Sequence, residues 1–263
     1  MIEPALTDDF GPACRDGELI ADPARAMGVL TDALRRFGRD RDCFIIGVTG
    51  AVSCGKTTLS AALRNALMDW PEKPVVELVG TDGFLFPNPV LDRLGLTARK
   101  GFPESYDAAA LRSALDEVRR GPADFPGYSH LAYDVDPALL RRIERPDILI
   151  IEGLGLNFEP VSGAPAPVDA LIYLDAEETD IEHWFVERFL GLWRAAEHDQ
   201  TSFYARFRGL DRDQVVGLAK TVWAQVNLPN LREHIVKARD VADLVVHKRA
   251  DHRIDAVRAR LPL

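Results

Sequence analysis

The fold of this chain follows from one short segment, Gly50-Ala51-Val52-Ser53-Cys54-Gly55-Lys56-Thr57. It matches the pattern G-x-x-x-x-G-K-[ST], with an apolar run before it and helical spacing after it. Glycines let such a loop wrap a phosphate with its N–H groups pointing inward, and the helix that follows adds partial positive charge. The segment therefore predicts a nucleotide-phosphate site, with Lys56 on the β- and γ-phosphates and the Thr57 hydroxyl on Mg²⁺.

Apolar runs typical of buried strands stand on both sides of this loop. One run leads directly into it, and the full set is 43–49, 75–79, 148–151, 170–174 and 244–246. Segments with helical spacing alternate with these runs, at 57–68, 108–120, 177–196 and 213–240. In the second of them, Asp107 suits the N-cap and Gly121 the terminator. This alternation predicts an α/β fold of three layers, a mostly parallel sheet with helices on both faces.

A helix with clear end signals precedes the first strand. Asp22 suits its N-cap, Pro23 its first position and Gly38 the position after its end. We therefore expect an N-terminal extension with a cover helix over 1–42, followed by a single domain over 43–263. Residues 1–20 are expected to be peripheral, and 160–167 to form a surface loop.

Composition excludes several classes of protein. The chain has 41 acidic and 32 basic residues, a net charge of −9, which argues against a general nucleic-acid binder. Its three cysteines are scattered without metal-ligand spacing, so neither a disulfide framework nor a zinc site is predicted. No apolar run approaches the ~20 residues that span a bilayer, and the first residues lack the basic start of a signal peptide. We expect a cytoplasmic protein that binds neither nucleic acid nor membrane.

Two carboxylates follow predicted strands. Asp82 comes shortly after the run at 75–79, and Glu152 directly follows the run at 148–151. Side chains at the carboxyl ends of parallel strands face one crevice, here that of the phosphate loop. Asp82 could accept a proton from an attacking hydroxyl, and Glu152 could hold Mg²⁺ through water. The alternative for either residue is a cap on the next turn.

Longer strings make the chain recognisable. They are Thr81-Asp82-Gly83-Phe84-Leu85-Phe86-Pro87-Asn88, Arg99-Lys100-Gly101-Phe102-Pro103-Glu104-Ser105-Tyr106-Asp107, Tyr128-Ser129-His130-Leu131-Ala132-Tyr133-Asp134 and Pro146-Asp147-Ile148-Leu149-Ile150-Ile151-Glu152-Gly153-Leu154. Later come Arg188-Phe189-Leu190, Trp223, Asn227 and Asn230-Leu231. In order and spacing these resemble bacterial type I pantothenate kinase, from residue 43 to the C-terminus.

The resemblance implies a P-loop NTPase-type fold with a helical lid. It also implies transfer of the γ-phosphate of ATP to the primary hydroxyl of pantothenate, the first step of coenzyme A synthesis. In this reading Asp82 is the base, while Lys56 and Arg188 stabilise the transferring phosphate. The expected ATP-binding residues are Gly50, Ala51, Val52, Ser53, Cys54, Gly55, Lys56, Thr57 and Thr58. Those lining the acceptor pocket are Asp82, Tyr128, His130, Tyr133, Phe185 and Asn227, and those of the metal site are Thr57 and Glu152.

The resemblance further implies a homodimer inhibited by coenzyme A, which overlaps the ATP phosphate site. The sequence departs from the family pattern at several positions. Phe185 replaces a tyrosine whose hydroxyl helps to bind the acceptor carboxylate, and Ala61 replaces an arginine that contacts coenzyme A. Gly155 replaces the family's asparagine after Glu-Gly-Leu, and Lys237-Ala238 replaces its Pro-Thr. The departures concern acceptor recognition and regulation rather than phosphoryl transfer.

Two other readings stay open from the sequence. One keeps the kinase class but changes the acceptor to another small hydroxylated molecule, such as a sugar or a nucleoside. The other is a nucleotide-binding regulator that hydrolyses ATP slowly or not at all. Such a regulator would be expected to lack the base or the lid arginine, whereas Asp82 and Arg188 are both present. Taken singly, His130, Tyr128, Tyr133 and Asn227 would be structural residues, and Arg188 a surface residue.

Overall fold

The computed structural model describes residues 23–38, 41–156 and 166–260. Within them, the main sheet has six strands in the spatial order β2-β5-β1-β6-β7-β8. The first five are parallel, and β8 is antiparallel to β7. In chain order the bounds are β1 Phe44–Gly50, β2 Val76–Gly80, β5 Ile148–Glu152, β6 Ala170–Ala176, β7 Leu244–Lys248 and β8 Ile254–Ala259.

Strand β1 lies at the centre of the sheet, and each of its seven residues is buried. Because successive side chains of a strand point to opposite faces, both faces of the sheet are covered there. The helices are α1 Pro23–Phe37, α2 Lys56–Met68, α3 Asn88–Leu94, α4 Ala108–Val118, α5 Glu178–Ala195, α6 Arg212–Val222, α7 Leu228–Asn230 and α8 Lys237–Val241. The predicted three-layer α/β fold is therefore confirmed.

A separate antiparallel hairpin stands beside the sheet. It consists of β3 (Ala123–Ser129) and β4 (Asp134–Ile143), with an irregularity in pairing between Phe125 and Gly127. Helix α4 and the turn that follows β2 both contact β3. The hairpin thus carries the Tyr-Ser-His string to the carboxyl end of β2.

Three aspartates hold the parallel strands at their amino ends. Asp147, Asp169 and Asp243 each stand just before a strand, and each carboxylate accepts a backbone N–H at the start of the neighbouring strand, at 2.7 to 2.8 Å. These bonds help to set the register of the sheet. Asp169 also accepts from Arg41 at 2.6 Å and from Arg119 at 2.9 Å.

We expect Asp169→Asn to lower the free energy of unfolding by about 2–3 kcal/mol, less than for a fully buried pair because Arg41 is half exposed. In the variant an NH₂ group replaces one carboxylate oxygen, so it would face the guanidinium of Arg41 or Arg119, to which it cannot donate. Denaturant titration measures the change. Asp42→Asn is the matched control, because Asp42 is 93% exposed and pairs with Arg145 at the surface. Equal stability of the two variants would contradict the assigned role of Asp169.

The sequence predictions match the structure closely along the parallel strands and less well elsewhere. Asp107 does cap α4, with its side chain accepting from Ala110 N at 2.9 Å, but the helix ends at Val118, before the predicted limit of 120. The predicted helix over 213–240 is interrupted by π-helical turns at Trp223–Asn227 and Leu231–Ile235. The N-cap predicted at Asp22, the peripheral segment 1–20 and most of the loop 160–167 lie outside the described residues. The division at residue 42 stays a prediction.

Candidate active site

The loop between β1 and α2 has a backbone that only certain residues adopt. Gly50 has φ +146° and Gly55 has φ +94°, in the region that favours glycine. A Cβ on Gly50 would lie 2.3 Å from the carbonyl oxygen of Leu174, so a side chain has no room there. Helix α2 begins at Lys56 and points its amino end at the loop. This strand, loop and helix form the cradle for an anion that the sequence predicts.

The side chains of the loop converge on one place. Lys56 Nζ donates to the carbonyl oxygens of Gly50 at 3.1 Å and Ala51 at 2.8 Å, so the ammonium lies folded over the loop. The hydroxyl of Ser53 is buried without a hydrogen-bond partner among the described residues. A phosphate oxygen held in the loop could accept from the buried Ser53 hydroxyl and from the Lys56 ammonium, which now donates only to backbone carbonyl oxygens.

The two residues predicted for the metal are in contact. Thr57 Oγ1 donates to Glu152 Oε1 at 2.7 Å. Hydroxyl and carboxylate oxygens are ligands that suit Mg²⁺, which usually keeps several waters and binds substrate phosphates. No group of three or more His, Cys, Asp or Glu side chains in the described ranges could hold a metal ion. The oxygen chemistry of Thr57 and Glu152 fits a magnesium ion beside the phosphate loop.

Asp82 lies at the same edge of the sheet. It belongs to a short 3₁₀ turn, Thr81–Phe84, directly after β2, and Gly80 at the end of β2 pairs in register with Glu152. The buried hydroxyl of Tyr106 donates to Asp82 Oδ1 at 3.3 Å. Burial, and next to it the charge of Asp82, raise the pKa of Tyr106 well above its usual range. Tyr106 therefore stays a neutral hydrogen-bond donor that orients the Asp82 carboxylate.

One cavity joins several of the predicted site residues. It has a volume of about 230 Å³ and lies between the end of β2 and the hairpin. Its lining includes Thr57, Asp82, Tyr128, His130 and Glu152. The candidate base, the candidate metal residues and part of the predicted acceptor wall therefore share one space. Lys56, Tyr133, Phe185, Arg188 and Asn227 do not line it.

The hairpin supplies an aromatic wall that continues past this cavity. The Tyr128 ring lies 5.1 Å from the ring of His130 and 6.2 Å from that of Tyr133. Burial raises the pKa of Tyr133 to about 12, so its phenol is neutral near pH 7. The Tyr133 backbone has φ +56°, unusual for a large residue, and turns the chain between the two strands.

The structure adds Lys100, which the sequence reasoning did not assign to the site. Its Nζ donates to Asn88 Oδ1 and to the Tyr133 carbonyl oxygen, each at 2.6 Å, and lies 5.0 Å from the Tyr128 ring centre. Burial lowers the pKa of Lys100, and the charges of Asp134 and Asp82 oppose that shift. Lys100 lies within the Arg-Lys-Gly-Phe-Pro string that carries the family resemblance, and this position was the feature of the sequence that could have assigned it to the site.

The predicted lid residues Phe185 and Arg188 lie on helix α5. Arg188 is exposed on α5 and makes no ion pair within the described residues. Burial raises the pKa of Tyr204, and the nearby Arg188 charge opposes that shift. Phe185 packs between Phe189 and Trp223, at ring-centre distances of 6.1 and 6.0 Å.

Asn227 and Cys54 are the remaining predicted site residues with a distinctive environment. Asn227 lies in the first π-helical turn, and its Nδ2 is buried without a hydrogen-bond partner among the described residues. An unpaired buried amide donor is costly, so a polar ligand group would stabilise it. Cys54 is fully buried, and burial raises the pKa of its thiol, consistent with a small packing residue.

The fold and this site together define a P-loop kinase, and comparisons with known proteins agree. The family model "Phosphoribulokinase / Uridine kinase family" matches residues 45–188. This chain belongs to that family. Among its relatives is the pantothenate kinase of Myxococcus xanthus (strain DK1622), 44% identical over 227 residues, or 82% of this chain and 72% of the relative. The pantothenate kinase of Rhizobium rhizogenes (strain K84 / ATCC BAA-868) is 39% identical over 256 residues, 92% of this chain and 77% of the relative.

Solved structures support the fold alone. A putative fructose transport system kinase from Silicibacter sp. TM1040 has a TM-score of 0.62 at 24% identity, covering 82% of this chain and 94% of that one. D-glycerate 3-kinase from Cryptococcus neoformans var. grubii has a TM-score of 0.61 at 12% identity, covering 90% and 98%. None of the helices described in the structure is both long enough and apolar enough to cross a membrane.

Proposed function

We propose that this chain is an ATP-dependent kinase that phosphorylates the primary hydroxyl of pantothenate to 4'-phosphopantothenate. The class of reaction rests on the family and on the relatives named pantothenate kinase, at 39% to 44% identity. One structural observation carries the proposal: a single cavity joins Asp82 with the Thr57–Glu152 pair and the Tyr128–His130 wall. This shared cavity supports a reaction in which Asp82 acts as the base next to a metal held by Thr57 and Glu152.

The proposed reaction is a direct in-line transfer. Asp82 accepts the proton of the acceptor hydroxyl, whose oxygen bonds to the γ-phosphorus while the bond from that phosphorus to the β–γ bridging oxygen breaks. The products are the phosphate ester and ADP, and the proton leaves from Asp82 to solvent. Positioning and charge stabilisation supply most of the catalysis, so no covalent enzyme intermediate is needed. Tyr106 holds the Asp82 carboxylate through its 3.3 Å hydrogen bond.

Positive charge comes from two elements. The Lys56 ammonium exchanges its contacts with Gly50 and Ala51 for phosphate oxygens when ATP binds. Arg188 reaches the transferring group from α5, and closure of the segment 180–210 excludes water from it. Thr57 and Glu152 would hold Mg²⁺, which neutralises charge on the β- and γ-phosphates when it is bound.

Acceptor recognition is assigned to the hairpin and the π-helical turn. Tyr128, His130 and Tyr133 offer an aromatic wall with polar edges, and the unpaired Asn227 Nδ2 offers a donor to an acceptor oxygen. Phe185 offers no hydroxyl, and its ring instead packs on Trp223. We therefore propose that the acceptor carboxylate has one hydrogen bond fewer here than in the family pattern.

The proposal extends to assembly and regulation, where the support is the resemblance. It includes a homodimer, a cytoplasmic location and inhibition by coenzyme A at the ATP phosphate site. Ala61 is exposed on α2. Its methyl group cannot pair with a phosphate, so we propose that inhibition by coenzyme A is weaker than where an arginine stands there.

A substrate panel tests the proposed function. The chain is incubated with Mg²⁺, ATP and one of pantothenate, uridine, ribulose 5-phosphate or D-glycerate, and ADP release and product mass are measured. We expect kcat/KM for pantothenate to exceed the others by at least about 100-fold, because an acceptor of another shape would leave buried polar groups of the site, such as Asn227 Nδ2, unpaired. Rapid turnover of another acceptor with none of pantothenate would contradict the assignment. ADP release that needs no acceptor would instead favour a nucleotide-binding regulator that hydrolyses ATP slowly.

A further inference from the structure

A second ammonium lies directly under the phosphate loop. Lys248 ends strand β7 and is 8% exposed. Its Nζ donates to the carbonyl oxygen of Cys54 at 2.8 Å, and a Cβ on Gly55 would lie 2.7 Å from Nζ. The ammonium is therefore packed against the loop backbone at Cys54 and Gly55, which directly precede Lys56.

No carboxylate of residues 23–38, 41–156 or 166–260 forms an ion pair with this charge. None of the ion pairs found within the described residues includes Lys248, and burial lowers the pKa of its amine. A buried ammonium without a counter-ion is costly. What offsets that cost is the Cys54 carbonyl and the face of the Trp184 ring, whose centre lies 5.0 Å from Nζ.

Trp184 connects this ammonium to the lid helix. It lies on α5, one helical turn before Arg188. Its indole Nε1 donates to the Ala250 carbonyl oxygen at 3.2 Å, and its ring stacks on His252 at 4.4 Å. Helix α5 is thereby held against the connection between β7 and β8, and Lys248 touches both the helix and the loop.

We infer that Lys248 is a positioning residue that ties the phosphate loop to helix α5 and so sets where Arg188 stands relative to phosphates held by the loop. Its side chain bridges the Cys54 carbonyl oxygen and the Trp184 ring, which belong to different elements. Because a small displacement of a catalytic group costs rate, the bridge matters for transfer as well as for binding. The inference rests on the proposed roles of the loop and of Arg188.

The test compares Lys248→Met with Lys73→Met. Methionine keeps much of the buried volume without the charge, and Lys73 is a control because its side chain is 69% exposed in a loop after α2. Steady-state kinetics and calorimetric titration with Mg·ADP are measured on both and on the unchanged chain. We expect Lys248→Met to lower kcat about ten- to hundredfold and to weaken ADP binding, with Lys73→Met unchanged. The thermal midpoint of Lys248→Met should not fall below that of the unchanged chain, because removal of a buried charge that lacks an ion-pair partner is neutral or stabilising.

A second variant, Trp184→Phe, tests the same contact from the other side. It keeps the inference testable if Lys248→Met does not fold. It should lower kcat without abolishing ADP binding, and the double variant should be no worse than Lys248→Met alone, because the two side chains form one contact. Kinetics of Lys248→Met within twofold of the unchanged chain would overturn the inference. So would fully additive losses in the double variant, or an unaltered kcat in Trp184→Phe. Failure of the unchanged chain to bind Mg·ADP would instead reject the proposed nucleotide site.

Discussion

Replacing Asp82 with asparagine is expected to lower kcat for pantothenate by about 10²–10⁴, the usual contribution of a positioned base. Asparagine has nearly the same shape and can still accept from Tyr106, but it cannot take up the proton of the acceptor hydroxyl. Calorimetric affinity for Mg·ADP should stay within a few-fold of that of the unchanged chain, because the phosphate loop is not altered.

The control for this prediction is Asp69→Asn, because Asp69 is 85% exposed after α2 and pairs with Lys73 at the surface. That variant should match the unchanged chain in both rate and affinity. A full rate in Asp82→Asn would show that another group removes the proton. Loss of ADP binding in Asp82→Asn would show that the residue supports the nucleotide site rather than the acceptor.

The parts of the site that were predicted from the sequence share one physical origin. Buried parallel strands leave an uninterrupted apolar pattern, and β1 and β5 show it at almost every position. Whatever follows such a strand must lie at the same sheet edge as its neighbours. This is why Thr57 and Glu152 could be predicted to share a metal, and the structure places them 2.7 Å apart.

The hairpin was harder to predict because its pattern is obscured. Strand β4 is exposed over much of its length, and β3 contains Pro126 and Gly127. Neither feature indicates a strand. The Tyr128 and His130 assignments therefore depended on the resemblance, and their common cavity with Asp82 came from the structure.

Contacts between distant elements were beyond prediction from pattern alone. Tyr106 reaches Asp82 across 24 residues, and Lys248 reaches Cys54 across 194. Each contact depends on how a loop or strand end packs on the finished sheet, and no local spacing encodes that. Yet these contacts orient the residues that the motifs do identify, so the site comprises the motif residues together with the side chains that hold them.

Replacing Arg188 with alanine is expected to lower kcat by about 10³ or more, the scale of an arginine that stabilises phosphoryl transfer. Arg188 is exposed on α5 and makes no ion pair among the described residues. Its removal therefore breaks no salt bridge, and thermal stability should be nearly unchanged. Mg·ADP should still bind, because the cradle of Lys56 and the loop backbone remains.

Two further variants sharpen this prediction. Arg188→Lys keeps the charge but loses the planar fork of donors, so its kcat should lie between those of alanine and arginine. Arg194→Ala, near the end of the same helix and also exposed, should leave kcat unchanged.

Rapid-quench measurement of a single turnover separates the chemical step from product release. A slower product release with an unchanged chemical step would assign Arg188 to lid opening. A slower chemical step would show that its charge stabilises the phosphoryl group during transfer.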